Sequence, residues 1–249
     1  MERIVKQTRE VGTSAGVLLP RSWLNKQVVV TILEPSKEEI TKKVVDIILE
    51  QKLNEEIKGI YLYGSYARGD NDANSDIDIL IITQKTNKLI NSENYELLFV
   101  TEENFSKNYL INLNYLAFLN EYDVLFNKDL IEKYIIKNKK LSFVKYLDEI
   151  KGILKINEDT VNICLEKKIN VPDGIIYSIV LRLRELNIIK SLVTNKKYHK
   201  EDFLKIIGEK VYLSYLRIKR NEKELINLTA EEIYPLIRLT EKWLKELKE

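Results

Sequence analysis

The chain has 249 residues and a mass of 29.3 kDa, with 45% hydrophobic residues, enough to bury one large core or two to three small ones. Its 40 Lys and Arg against 38 Asp and Glu leave a formal net charge of +2, so nothing global favours nucleic acid or an anionic membrane, and any basic site must be local. The longest apolar runs, Val28 to Leu33 and Ile77 to Ile82, fall short of the roughly 20 residues of a membrane helix; Cys164 stands alone, which excludes an intramolecular disulfide, and His199 is the sole histidine, which argues against a Cys/His zinc cluster, so a cytoplasmic protein is expected.

Residues 1–37 read as a β segment, with strands expected around Val17 to Leu19 and Val28 to Leu33 on either side of Pro20. The run Val11-Gly12-Thr13-Ser14-Ala15-Gly16-Val17-Leu18-Leu19-Pro20 resembles the glycine, serine, strand, proline pattern of the swapped-hairpin DNA-binding folds of the AbrB and MazE type. One hairpin cannot close a barrel alone, so the resemblance implies a homodimer through residues 1–37 or docking onto the rest of the chain. Arg3, Lys6, Arg9, Arg21 and Lys26 give a local positive excess that could contact DNA phosphates.

Residues 38–138 carry a different pattern. Ile40, Val44, Ile47 and Ile48 recur at helical spacing and predict a helix from about Lys37 to Lys58. Strands are expected at Ile60 to Tyr63, Ile77 to Ile82, Tyr95 to Val100 and Asp123 to Phe126, which together suggest one mixed sheet. Residues 139–249 turn helical, with helices expected near 141–156, 158–168, 173–194, 200–218 and 229–248. Thr229 and Glu232 have capping-box spacing at the start of the last. The whole reads as an α+β protein: a small hairpin segment, an α/β domain and a C-terminal helical bundle.

The chemistry concentrates in Gly64-Ser65-Tyr66-Ala67-Arg68-Gly69 and Ser75-Asp76-Ile77-Asp78, which lie between two apolar runs. Two aspartates two apart on a strand share a face, and adjacent carboxylates repel unless a cation lies between them. Mg²⁺ takes one or two carboxylates with phosphate oxygens and waters, which suits Asp76 and Asp78. Gly64 lets the backbone approach a phosphate closely, and Ser65 would open a short helix whose free N–H groups face it. Arg68 has two readings open, a phosphate contact or an ion pair with Asp70 or Asp72.

These residues resemble the nucleotidyltransferases typified by DNA polymerase β, particularly the minimal members, whose pattern is Gly-Ser, then Ser-Asp-x-Asp leading into a hydrophobic strand. The resemblance implies a third carboxylate on a following strand, as metal ligand and base toward an acceptor hydroxyl. Glu96, the one charge in Tyr95-Glu96-Leu97-Leu98-Phe99-Val100, matches best, with Asp123 as rival. It also implies attack of a hydroxyl on the α-phosphorus of a nucleoside triphosphate, assisted by Mg²⁺ or Mn²⁺, with Gly64, Ser65, Arg68 and Ser75 on the nucleotide. The expected activity is transfer of AMP from ATP, or of another nucleotide, to a protein or small-molecule hydroxyl. The alternative is a dimeric DNA-binding regulator whose nucleotidyltransferase fold senses nucleotide. In the helical part, Tyr177, Arg182, Arg184, Lys190, Arg217 and Arg220 are possible substrate contacts; Arg182 and Arg184, two apart on a helix, do not share a face.

Overall fold

The structure, a computed structural model, describes residues 4, 6, 8–30, 34–71, 75–135, 141–196 and 198–248. Near the N-terminus, strands β1 (Arg9–Val11) and β2 (Ser14–Gly16) form a short antiparallel hairpin turning at Gly12, whose φ is +60°. The strands expected at Val17 to Leu19 and Val28 to Leu33 are not formed: residues 17–19 and 28–30 have no regular structure, and residues 31–33 lie outside the described residues. Leu18, Leu24, Val29 and Val30 are exposed, and among the described residues no strand pairs with these runs.

Helix α1 (Lys37–Glu50) begins at a capping box in which the Ser36 hydroxyl accepts from the Glu39 N–H and the Glu39 carboxylate accepts from the Ser36 N–H. It stops earlier than expected, because Lys52 turns left-handed at φ 57° and the chain enters β3 at Ile57. Strands β3 (Ile57–Tyr63), β4 (Ile77–Thr83), β5 (Lys88–Ser92), β6 (Tyr95–Thr101) and β7 (Asp123–Phe126) form one mixed sheet in the order β5-β6-β4-β3-β7, parallel only between β4 and β6. The alternation of β4 explains its two-sided burial. Ile77, Ile79 and Ile81 face α1, packing with Ile40, Val44, Ile47 and Ile48. Leu80 and Ile82 face the other way, toward Phe105, Phe118, Leu130 and Ile131 from helices α3 (Glu102–Asn108), α4 (Leu113–Glu121) and α5 (Lys128–Glu132).

The expected boundary at 138/139 falls outside the described residues. Beyond it come α6 (Val144–Glu166), α7 (Asp173–Val193), α8 (Lys200–Ile207), α9 (Glu209–Lys219) and α10 (Ala230–Glu246). The two helices expected at 141–156 and 158–168 are one, because Asn157 at the anticipated break is buried and donates to the Ser178 hydroxyl, 2.9 Å away. The helix expected at 200–218 is two, divided at Gly208, whose φ of 78° and ψ of 153° are not helical. The Thr229–Glu232 capping box starts α10 as expected.

The helical core reaches back to the sheet through Leu113 and Leu116 of α4. Polar contacts join the same parts: the Leu113 N–H donates to the Tyr146 hydroxyl at 2.9 Å, and the Lys200 N–H to the Asp70 carboxylate at 3.0 Å. Among the described residues no helix is long and apolar enough to cross a membrane.

Candidate active site

The site is built on the turn from β3 into helix α2 (Gly64–Arg68). Gly64 has a φ of +72°, and a Cβ there would lie 2.0 Å from Asp78 Oδ2, so both backbone conformation and space demand glycine. Asp78 lies opposite Tyr63 across β3 and opposite Glu96 across the parallel β6 register. Asp78 and Glu96 share the sheet face of Leu80 and Val100, which puts two carboxylates side by side at the end of an otherwise apolar surface. Asp76 lies just ahead of β4 rather than in it, and is exposed.

Asp123 is placed elsewhere. It is opposite Leu62, on the face that packs against α1, and its carboxylate lies 3.7 Å from the Lys37 ammonium. A residue on that face cannot meet Asp78, so Glu96 is the strand carboxylate that neighbours it.

Burial pushes the Asp78 carboxyl up to about 7, with the Glu96 and Asp76 charges adding to the rise and the cations of Lys219 and Arg184 opposing it. Among the described residues, no three or more His, Cys, Asp or Glu side chains are arranged to hold a metal ion by themselves. Asp76 and Asp78 offer instead an open two-carboxylate donor set, the kind Mg²⁺ accepts when phosphate oxygens and waters complete its shell. A hard cation there would relieve the repulsion that raises Asp78, so the residues fit one.

Beside this end of the sheet is a cleft of about 330 Å³ between the sheet part and the helices. Gly64, Ser65, Arg68, Ser75, Asp76 and Asp78 line one wall, so all the expected residues except Glu96 are cleft residues. The opposite wall is cationic and aromatic: Arg184, Lys200, Lys219 and Arg220 with Tyr198, Tyr212 and Tyr215. Arg68, expected on the nucleotide, is committed to carboxylates. Its Nε lies 3.2 Å from both Asp70 oxygens, its Nη1 lies 2.7 Å from Glu121, and its guanidinium sits over the Tyr198 ring at 5.2 Å. Arg184 approaches the same ring at 5.9 Å, so one cation from each wall meets Tyr198.

The expectations for the helical part divide. Arg184 and Arg220 line the cleft. Arg217 instead holds the fully buried Asp173 at 2.7 Å, Arg182 pairs with Glu185, Lys190 pairs with Glu246, and Tyr177 stacks on Tyr215. Tyr198, Lys200, Tyr212, Tyr215 and Lys219 were not picked out from the sequence. The positive pair Lys219-Arg220 ending a helix was the available signal, and its meaning depended on which wall that helix faces.

The family model for the nucleotidyltransferase domain matches residues 41–199, which span β3 to β7 and the motif. The chain belongs to this family. It is a nucleotidyltransferase, and its sheet, motif and first helical layers are the matched region. A second family, described as "Putative transposon-encoded protein (DUF2080)", matches residues 3–36. No curated protein matches the nucleotidyltransferase in sequence. Among solved structures, it is similar to a spectinomycin adenyltransferase from Enterococcus faecialis, crystallised with ATP and spectinomycin, at 15% identity and a TM-score of 0.40, over 84% of this chain and 99% of that one. It is also similar to a nucleotidyltransferase-like protein from Exiguobacterium sibiricum at 15% identity and a TM-score of 0.34, over 83% of this chain and 75% of that one.

Proposed function

We propose that this nucleotidyltransferase moves a nucleoside monophosphate, AMP from ATP in the first instance, to a hydroxyl of a protein or small-molecule acceptor, releasing pyrophosphate. The observation that carries the reading is the register of β4 and β6, which sets Glu96 beside Asp78 where Gly64 turns the chain into α2. Asp76 and Asp78 would hold Mg²⁺ or Mn²⁺, which supplies charge neutralisation for the phosphates and acidifies the attacking hydroxyl. Glu96, the neighbour of Asp78 on β6, would accept that hydroxyl's proton. Gly64, Ser65 and Ser75 border the space for the triphosphate, while Arg68, held by Asp70 and Glu121, stiffens the turn that carries them. Of the cleft's tyrosines, Tyr198 and Tyr215 are buried and already in contact with Arg68, Arg184 and Tyr177, so half-buried Tyr212 is the ring left for a base or an aromatic acceptor.

Residues 1–37 serve, in this reading, as an AbrB-like pairing segment between two copies, with DNA as a partner of the paired hairpins. Supporting it are the exposure of Leu18, Leu24, Val29 and Val30 and the transposon-encoded family that matches residues 3–36.

The deciding experiment is incubation with Mg²⁺ and each labelled nucleoside triphosphate, with and without cell lysate, following labelled acceptor and pyrophosphate. Label on a protein band or on a small molecule identifies the acceptor class. Tight nucleotide binding with no transfer under either metal would replace this reading with that of a nucleotide-sensing, DNA-binding dimer.

A further inference from the structure

Lys219, in the last turn of α9, reaches across the cleft from the helical wall and sets its Nζ 3.6 Å from Asp76 Oδ2. Both side chains are about half exposed, 53% and 52%, and the separation is longer than a direct hydrogen bond. Such a pair is weak and easily exchanged. Other cations near the cleft are held differently: Arg217, two residues earlier, is locked to the fully buried Asp173, and Arg68 is clamped between Asp70 and Glu121 with its side chain 9% exposed. Lys219 combines a compact ammonium on a flexible four-carbon stem with a partner that is one of the two proposed metal ligands.

We propose that Lys219 is an exchangeable counter-ion: without ligand it neutralises Asp76, and when a divalent cation and a triphosphate enter, its ammonium passes from that carboxylate to a phosphate oxygen of the nucleotide. The inference rests on the nucleotidyl-transfer reading of the site. Charge explains why the exchange runs in that direction. A divalent cation beside Asp76 and the Lys219 ammonium would repel one another, while the triphosphate brings new anionic oxygens into a wall already lined by Arg184, Lys200 and Arg220. Lys219 therefore opposes metal binding in the empty cleft and favours nucleotide binding in the filled one. One residue thus couples the two ligands, so that metal alone binds poorly and metal with triphosphate binds well.

The coupling gives Lys219→Met a signature that a merely structural residue would not have. Free Mn²⁺ is followed by electron paramagnetic resonance during titration of the nucleotide-free protein, and binding of an ATP analogue with a methylene between its α and β phosphorus atoms is followed in Mg²⁺ by calorimetry. Lys219→Met is expected to bind Mn²⁺ about two- to fivefold more tightly, the worth of an exposed ion pair. It is expected to bind the analogue at least about tenfold more weakly, the worth of a charge-assisted hydrogen bond. Lys219→Arg, which keeps the charge, should retain the wild-type Mn²⁺ affinity and recover part of the analogue affinity. Thermal melting of each variant within a few degrees of the wild type certifies the fold. If Lys219→Met shifts both affinities in the same direction, or leaves either unchanged, while the wild type binds both ligands, the proposal is overturned and the transfer reading stands. A wild-type protein that binds Mn²⁺ but no triphosphate removes the transfer reading, and this proposal with it.

Discussion

Asp78→Asn should stabilise the metal-free protein, and by an amount that depends on pH. The Asp78 carboxyl is held at about 7, against 3.8 in an unfolded chain, chiefly because it is buried and then because Glu96 and Asp76 crowd it. Its folded-state value is the higher of the two, so the folded protein binds the proton more tightly. Stability from this group is fully present below 3.8 and is lost as pH rises through about 7. At pH 8 the accumulated loss is on the order of 4 kcal/mol at most. Asparagine has nearly the same shape and no charge, so it escapes that loss. For a chain of this length each kcal/mol moves the melting temperature by about 2–4 °C. The expected gain of Asp78→Asn over wild type is therefore about 5–10 °C at pH 8 in EDTA by scanning calorimetry, falling to less than half of that at pH 5. Adding Mg²⁺ should raise the wild type and leave the variant unmoved, because only the wild type keeps both proposed ligands. A variant melting at or below wild type at pH 8, or a gain equal at the two pH values, would refute the claim that Asp78 carries an uncompensated buried charge.

Gly64→Ala should cost about 1–3 kcal/mol and abolish transfer, since its φ is +72° and the new methyl would displace Asp78 Oδ2; denaturant unfolding and a turnover assay check the two effects. Glu96→Gln should lower kcat far more than it raises KM, as expected of a base that acts in the transition state, and steady-state kinetics would show otherwise if Glu96 only fills space. Arg217→Met should cost about 3–5 kcal/mol, because it leaves Asp173 buried without the guanidinium that offsets its burial; a urea midpoint close to wild type would contradict that account. Removal of residues 1–36 should turn the proposed homodimer into a monomer that still binds nucleotide, and sedimentation of a full-length monomer would end the pairing role proposed for the N-terminal segment.

Local patterns carried most of the sheet and helix elements and the residues that line one wall of the cleft. Helical spacing of Ile40, Val44, Ile47 and Ile48 marked the helix that covers one sheet face, and Gly64-Ser65 with Asp76 and Asp78 marked the turn and strand beneath the cleft. These follow from chain geometry over a few residues, where periodicity and backbone conformation act directly. Breaks governed by distant partners are not legible locally: Asn157 continues α6 with its side chain satisfied by Ser178, and Val28 to Val30 form no strand, having no pairing partner among the described residues. The choice between Glu96 and Asp123 depended on strand order, since β6 lies beside β4 while β7 lies on the far side of β3 with Asp123 turned toward α1. The roles of Arg68, Arg217 and Lys219 depended on which carboxylate each one meets across the fold, and a cation's sequence neighbours do not carry that information. Motif and periodicity are short-range properties that a sequence states by itself; the pairing of charges between walls of a cleft is decided only when tertiary packing removes water and brings remote residues within Coulomb range.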